Sequence, residues 1–484
     1  MSDDFHEFSR AATQVVRALA EYGASSRAGH GRPVKLAPMR ELAESLDVER
    51  LIREGGLRDG VEPRFLDAYL AATTRLHHPA YMAHQVAVPH PAGAIASLID
   101  GFTNNAMAVY EMGPAATAIE FVLLNWMLDK AGWTPAPFPD DGSADGEHGA
   151  GVLTHGGSLA TLTALVAARR RAAPDVWANG NPPDLALFAS PLTHYAIARA
   201  AGIMGLGHRA VVSLETDGNG VILPHRLPAA FDRAAGEGRR PFVLIANACS
   251  TPVGRYDPLR PIAEFCRERD IWLHVDGAHG ASALLSPRLR HLLDGLELAD
   301  SLVWDAHKLL RTPALCAAVL VRRGGDLDTA FVQEGSYIFH EKVQPGIDLL
   351  GRTVECTKSG LGLKAFLVLA ALGERGLAEY VERATDLARR AWEAIGHRAG
   401  FSCPVEPESN ILCFRYGDSD ALQMELRNRL IVEGDFHIST TEFRGRRYLR
   451  LVLMNPDTDI SVIEALLDRI ESLDNGDING DIPH

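Results

Sequence analysis

Over most of the chain, short apolar runs alternate with stretches in which apolar residues recur every third or fourth position, and this alternation predicts the architecture. Residues 6–23 and 37–55 carry helical spacing on either side of a Gly/Arg-rich link at 25–33. From about 94 a long helical pattern runs through 115–132, and the Pro-, Asp- and Gly-rich stretch 135–149 reads as a loop. β-rich runs then follow at 185–189, 209–214, 242–246, 272–275, 301–304 and 316–321, with helical segments between them. Strands spaced by helices in this way predict an α/β fold with a mostly parallel central sheet covered on both faces. Past the glycine cluster near 373–376 the pattern predicts a helix over 377–399, strands near 411–416 and 448–454, and a last helix over 460–473. The expected organisation is an N-terminal helical arm (1–93), a large α/β domain (94–375), a small C-terminal α+β domain (376–473) and a polar, Gly-broken, disordered tail (474–484). No internal repeat is visible.

Composition narrows the function classes. A chain of 484 residues that is 46% hydrophobic can bury a large core. Its net charge of −14 argues against general affinity for nucleic acid or for an anionic membrane, both of which select clustered cationic surface. The six cysteines, at 249, 266, 316, 356, 403 and 413, show no CxxC spacing and read as free thiols. The first residues are acidic without an apolar signal core, and no apolar run approaches membrane-spanning length, so a cytoplasmic protein is expected. Four histidines at 77, 78, 84 and 90 have no carboxylate or thiol at ligand spacing, and no metal is expected.

Two clusters bear chemistry, His274-Val275-Asp276-Gly277-Ala278-His279 and Asp305-Ala306-His307-Lys308, each ending an apolar run. An amine shielded from water loses part of its preference for the proton and can form a Schiff base with an aldehyde. Pyridoxal 5'-phosphate offers that aldehyde, a pyridine nitrogen that calls for an anionic partner, and a phosphate that calls for N–H and hydroxyl donors. Lys308 and Asp276 suit the first two. Thr154-His155-Gly156-Gly157-Ser158, opening a helical run, suits the third, because free backbone N–H groups and the positive end of the helix dipole attract a phosphate. His194, at a strand-to-helix turn, stands where an imidazole can stack on a flat ring, and Ser250 or Thr251, in Asn247-Ala248-Cys249-Ser250-Thr251-Pro252, can meet the cofactor edge or simply close a hydroxyl-bonded turn.

These motifs, with Tyr256-Asp257-Pro258, resemble the group II pyridoxal-phosphate-dependent amino-acid decarboxylases, the family of aromatic-amino-acid, glutamate, cysteine-sulfinate and diaminobutyrate decarboxylases, from about His77 to Leu473. The resemblance implies the fold type I (aspartate aminotransferase-like) architecture and decarboxylation of an L-amino acid to CO2 and an amine. It casts Lys308 as the cofactor-linked lysine, Asp276 as the carboxylate on the ring nitrogen, and Ala278 and His194 as packing on the two ring faces. Gly157, Ser158 and His307 fall on the phosphate side, Ser250 near the ring hydroxyl, and Arg450 near the substrate. It also implies a homodimer with the active site at the subunit interface. His84 and Asn104, in segments that resemble the substrate-facing ones, are candidate specificity residues.

The chain departs from the family after the lysine strand, where many members carry a tyrosine that delivers the Cα proton. Val343 aligns with that position, and no tyrosine lies between 338 and 379. His340 or a water can protonate Cα and preserve simple decarboxylation; slow protonation would instead divert the reaction to decarboxylation-coupled transamination or oxidative deamination. Arg450 and Arg352 could suit an acidic substrate side chain.

Overall fold

The structure, a computed structural model, describes residues 4–55, 63–140, 147–331 and 345–475. The chain divides into two compact units: Gln85–Asp386 with Pro407–Asn410, and Met1–His84 with Leu387–Glu406 and Ile411–His484.

The first unit is built on a seven-stranded sheet of β1 (Ala150–Thr154), β2 (Leu185–Ala189), β3 (Val211–Ser213), β4 (Arg240–Asn247), β5 (Trp272–Asp276), β6 (Ser301–Asp305) and β7 (Ala317–Val321), in the order β1-β7-β6-β5-β4-β2-β3. Strands β2 to β6 pair in parallel; β7 runs antiparallel to both β6 and β1. Consequently β1 points the same way as β6, and six strands present their carboxyl ends at one edge. Four of the strands are buried at every position, as expected for runs covered on both faces. The helix Gly157–Ala172, buried from Ala160 through Ala168, packs on β4 to β7 and on β1.

Strand β1 escaped the sequence reading because Gly151 interrupts it, yet that glycine is required. A Cβ there would stand 2.8 Å from Leu320 Cδ2 and 2.9 Å from the Val319 carbonyl of the neighbouring strand. The long helical pattern from 94 is two helices, Pro91–Thr103 and Pro114–Lys130, because Asn104 takes a left-handed conformation (φ 50°) that stops the first. The helix expected from 377 begins at Leu361 and is broken at Gly373 (φ 68°).

The second unit holds an antiparallel sheet in the order β10-β11-β9-β8, formed by β8 (Phe401–Ser402), β9 (Ile411–Tyr416), β10 (Ser439–Phe443) and β11 (Arg446–Val452). Leu412, Phe414, Leu449 and Leu451 from this sheet form a core with Leu426 and Leu430 of helix Asp420–Glu433 and Ile463, Leu466, Leu467 and Ile470 of helix Ile460–Asn475. Helix Asp420–Glu433 and β10 were not foreseen. The helix has no sharp apolar stripe, and β10 (Ser-Thr-Thr-Glu-Phe) is half-exposed and polar. The first 84 residues belong to this unit: Asn455 Nδ2 donates to the His78 carbonyl (2.8 Å), Thr458 Oγ1 to the Pro79 carbonyl (2.6 Å), and Arg27 pairs with Asp457 (2.8 Å). Of the tail expected from 474, Asp474 and Asn475 finish the last helix, and the remainder lies outside the described residues.

Candidate active site

At the carboxyl edge of the seven-stranded sheet, β4, β5 and β6 end in Asn247, Asp276 and Asp305, polar groups that an interior strand could not tolerate. Strand β6 ends in Asp305, whose Oδ2 lies 3.0 Å from Lys308 Nζ and 3.7 Å from His307 Nε2. The lysine is placed by a turn. Its backbone N–H donates to the Asp305 carbonyl (3.3 Å), the Cys316 carbonyl accepts from the His307 backbone N–H (3.1 Å), and His307 Nδ1 lies against both the Cys316 carbonyl (2.8 Å) and the Cys316 N–H (3.4 Å).

The neighbouring strand β5 ends in Asp276. It accepts one hydrogen bond, from the Ala278 N–H (3.2 Å), and its other oxygen makes none among the described residues. Ala278 is half-buried beside it, and its carbonyl accepts from the Asp305 N–H (3.1 Å), which ties the ends of β5 and β6 together. His194 follows β2 on the turn into helix Ala196–Ile203. Burial depresses its pKa, Asp276 and Asp305 oppose the shift, and Lys308 and Arg199 reinforce it. His194 therefore shares the field of all three site charges and is neutral at neutral pH. Its Nδ1 accepts from the Ala196 N–H (3.2 Å), so the proton sits on Nε2.

On the phosphate side, Gly156 (φ 105°) turns the chain out of β1, and Gly157 opens the helix. A Cβ at Gly157 would meet Asp305 Oδ2 at 2.8 Å, so a glycine is what lets the turn approach the lysine's partner. Ser158, on the first helical turn, is exposed. Ser250 is buried; its Oγ accepts from the Arg255 N–H (3.1 Å), the closed turn weighed for it, while its own proton stays free to donate. The structure thus gathers Lys308, His307, Asp276, Ala278, His194, Ser250, Gly157 and Ser158 on strand-end segments of one edge.

Three expected residues are not in that group. Asn104 is the exposed C-cap of helix Pro91–Thr103, and its side chain makes no hydrogen bond among the described residues. His84 and Arg450 belong to the other unit. There the His84 ring meets His437 edge-on (5.6 Å), and Arg427 and Arg450 both depress His84 beyond the effect of its burial; burial, with His84 and Arg427, takes His437 down to about 4. Arg352 is taken by Asp328 (2.7 Å). Val343 and His340 lie outside the described residues.

Sequence reasoning passed over several supports. Asp305 stands in the sequence reading at a strand end beside Lys308 without a role of its own, although its spacing to Lys308 puts carboxylate and amine one turn apart. Asp257, fully buried and raised by that burial to about 6, accepts from the Ile222 N–H (2.8 Å), the Asn247 N–H (2.7 Å) and Asn247 Nδ2 (3.0 Å), fixing the end of β4. Glu120 and Lys358 form a buried ion pair that clasps β1: Glu120 Oε1 accepts the Leu153 N–H (2.9 Å), and Lys358 Nζ donates to the Leu153 carbonyl (2.7 Å). His155 is held between Glu355 and Ser359 Oγ (3.1 Å). No spacing rule links residues this far apart in sequence.

The family model of the pyridoxal-dependent decarboxylase conserved domain matches residues 69–417. The chain belongs to the pyridoxal-dependent decarboxylase family. Its relatives include an acidic amino acid decarboxylase of Bos taurus, 30% identical over 90% of this chain and 85% of that protein, and a cysteine sulfinic acid decarboxylase of Rattus norvegicus, 30% identical over 90% and 89%. The crystal structure of mouse CSAD superposes with a TM-score of 0.85 at 27% identity, covering 96% of this chain and 98% of that one. The family makes this chain a pyridoxal-phosphate-dependent amino-acid decarboxylase with the fold type I architecture, and the comparisons give the transaminase alternative no support. The residues present suit the cofactor: among the described residues Asp305 Oδ1 is buried with no partner and Asp276 has an unused oxygen, and the Gly156–Gly157 turn leaves a cradle that a Cβ would fill.

Proposed function

We propose that Lys308 is the residue that bonds the cofactor and that the substrate is an amino acid with an acidic side chain. What supports the first point is the Lys308 amine, 3.0 Å from the Asp305 carboxylate on the same edge as Asp276, His194 and the Gly156–Gly157 turn. Bound there, the cofactor supplies an electron sink for the pair left behind when the α-carboxylate departs as CO2. Asp276 holds a proton at the ring nitrogen. Neutral His194 stacks on one ring face and Ala278 packs the other, Ser250 donates toward the ring hydroxyl, and Gly157, Ser158 and His307 take the phosphate. Asp305 keeps the lysine positioned and receives its charge whenever the amine is released. Asn104, His84 and Arg450 are assigned to the substrate.

The acidic preference is supported by the cationic surroundings of His84, where Arg427 and Arg450 both act on the ring, and by the named activities of the two relatives. Screening the standard amino acids with cysteine sulfinate and diaminobutyrate for CO2 release should find acidic substrates turned over fastest, one amine appearing per CO2. A preference for aromatic substrates would overturn the substrate reading; an aldehyde or ketone in place of the amine would overturn simple decarboxylation. Lys308→Ala should purify without the cofactor's protein-bound visible absorption and without activity, and retention of both would dismiss the lysine assignment.

A homodimer that completes the active site at its interface is part of the same proposal. Helix Pro91–Thr103 exposes Ile95, Leu98 and Ile99 on one face, and Met39 and Ile52 are 86% and 78% exposed, apolar surface that a second copy would cover. Six free cysteines support a reducing, cytoplasmic setting. No helix among the described residues is long and apolar enough to cross a membrane.

A further inference from the structure

At the opposite edge of the seven-stranded sheet, where β5 and β6 begin, an open cleft of about 280 Å³ is lined by Arg171, Arg267, Arg322 and Arg323, with Asp270 and Asp300 as its acids. Four guanidinium groups line the cleft with two carboxylates, and even with Asp326 beside Arg323 the arginines outnumber the paired acids in a chain whose net charge is −14. One acid is heavily shared. Asp300 Oδ1 pairs with Arg171 (3.1 Å), Arg322 (3.4 Å) and Arg323 (3.8 Å), while its Oδ2 accepts the Leu273 N–H (2.9 Å). Asp270 pairs with Arg171 alone (3.0 Å), and Asp326, outside the lining, takes Arg323 (3.1 Å).

Donors remain after those pairs are made. Arg322 spends Nε on the Ala299 carbonyl (2.9 Å) and Nη2 on Asp300, which leaves Nη1 without a partner among the described residues. Arg267 is exposed and has no ion pair or side-chain hydrogen bond among them. Arg171 is stiffened by lying over the Trp272 ring (5.6 Å), so one wall of the cleft is preorganised. Planar, always-charged guanidinium groups converging on a concave surface are the donor set that binds tetrahedral oxyanions bidentately.

We propose that this cleft is a second ligand site, separate from the decarboxylase centre, that takes the phosphoryl group of a small phosphorylated metabolite. Its volume lies near the lower end of the ~300–1,000 Å³ typical of small-molecule clefts, more than a lone tetrahedral anion needs. Leu273 and Asp300, which the anion would restrain, begin the segments that end in Asp276 and Asp305. Both segments are single extended stretches of sheet, so ligand in the cleft would rigidify the strands that carry the catalytic edge.

The test is calorimetric titration of the cofactor-saturated enzyme with inorganic phosphate and, separately, with glycerol 3-phosphate. Saturable binding of the ester, tighter than that of inorganic phosphate and weakened at least about tenfold in Arg267→Glu and in Arg322→Ala, is the expected result. Tighter binding of inorganic phosphate would assign the cleft to the free anion and overturn the metabolite reading. No saturable heat, or heat unchanged in both variants, would overturn the site altogether. Because Arg267 makes no ion pair among the described residues, Arg267→Glu keeps the test valid even if loss of Arg322 perturbs folding.

Discussion

His274 shows how a single buried group reports on the site's frame. It occupies β5 two residues before Asp276, with Nδ1 against Ser301 Oγ (2.8 Å) and Nε2 buried without a partner among the described residues. Burial drives its pKa down to about 4, with Asp276 opposing. A group depressed in the fold takes up its proton in the unfolded chain first. Its contribution is therefore complete above the ordinary value of 6.5 and is lost as the pH falls from there toward 4, to an extent on the order of 3 kcal/mol at ~1.36 kcal/mol per pKa unit. Asp257 carries the opposite sign: raised to about 6, its share is complete below 3.8 and is lost as the pH rises through 6. Melting temperatures recorded between pH 7 and 4 should fall less steeply for His274→Asn than for the parent chain, and an unchanged slope would mean that the ring is hydrated.

Among the elements, β1 and the turn that follows it depend most on groups the sequence does not place together. The clasp of Glu120 and Lys358 is what the Leu153 N–H and carbonyl bond to, and Glu120 Oε2 has no partner of its own among the described residues. Removing one charge strands the other: Lys358→Ala should cost ~3–5 kcal/mol, read as a lowered denaturation midpoint, while Glu120→Gln with Lys358→Met should recover most of it. Equal losses in the single and double variants would show that the pair is not what holds β1. The same elements mark how far the sequence could be read. Uniformly apolar strands such as β2 and β7, and strand-end Asp276 and Lys308, declare themselves through local pattern. Strand β1, with Gly151 inside it, and β10, with its polar residues, carry too little hydrophobic periodicity, and Asp257, Glu355 and Lys358 act on partners brought close only by the fold.

For the whole molecule, the exposed apolar positions on helix Pro91–Thr103 and at Met39 and Ile52 are the surface on which the proposed dimer is tested. Sedimentation at micromolar concentration should give a dimer, and Ile95→Lys with Ile99→Lys should produce monomers with activity lowered at least about tenfold. A fully active monomer would refute the shared site. Another consequence follows from the antiparallel pairing of β7 with β6. Residue 305 lies opposite 317, so Lys308 sits inside a closed hairpin whose ends belong to a ladder, with the Thr312 N–H bonded to the Ala306 carbonyl across it. A one-residue insertion between 306 and 316 would slip β7 by one position and turn every side chain of a strand buried on both faces. Over generations this stretch can exchange residues far more readily than it can gain or lose one.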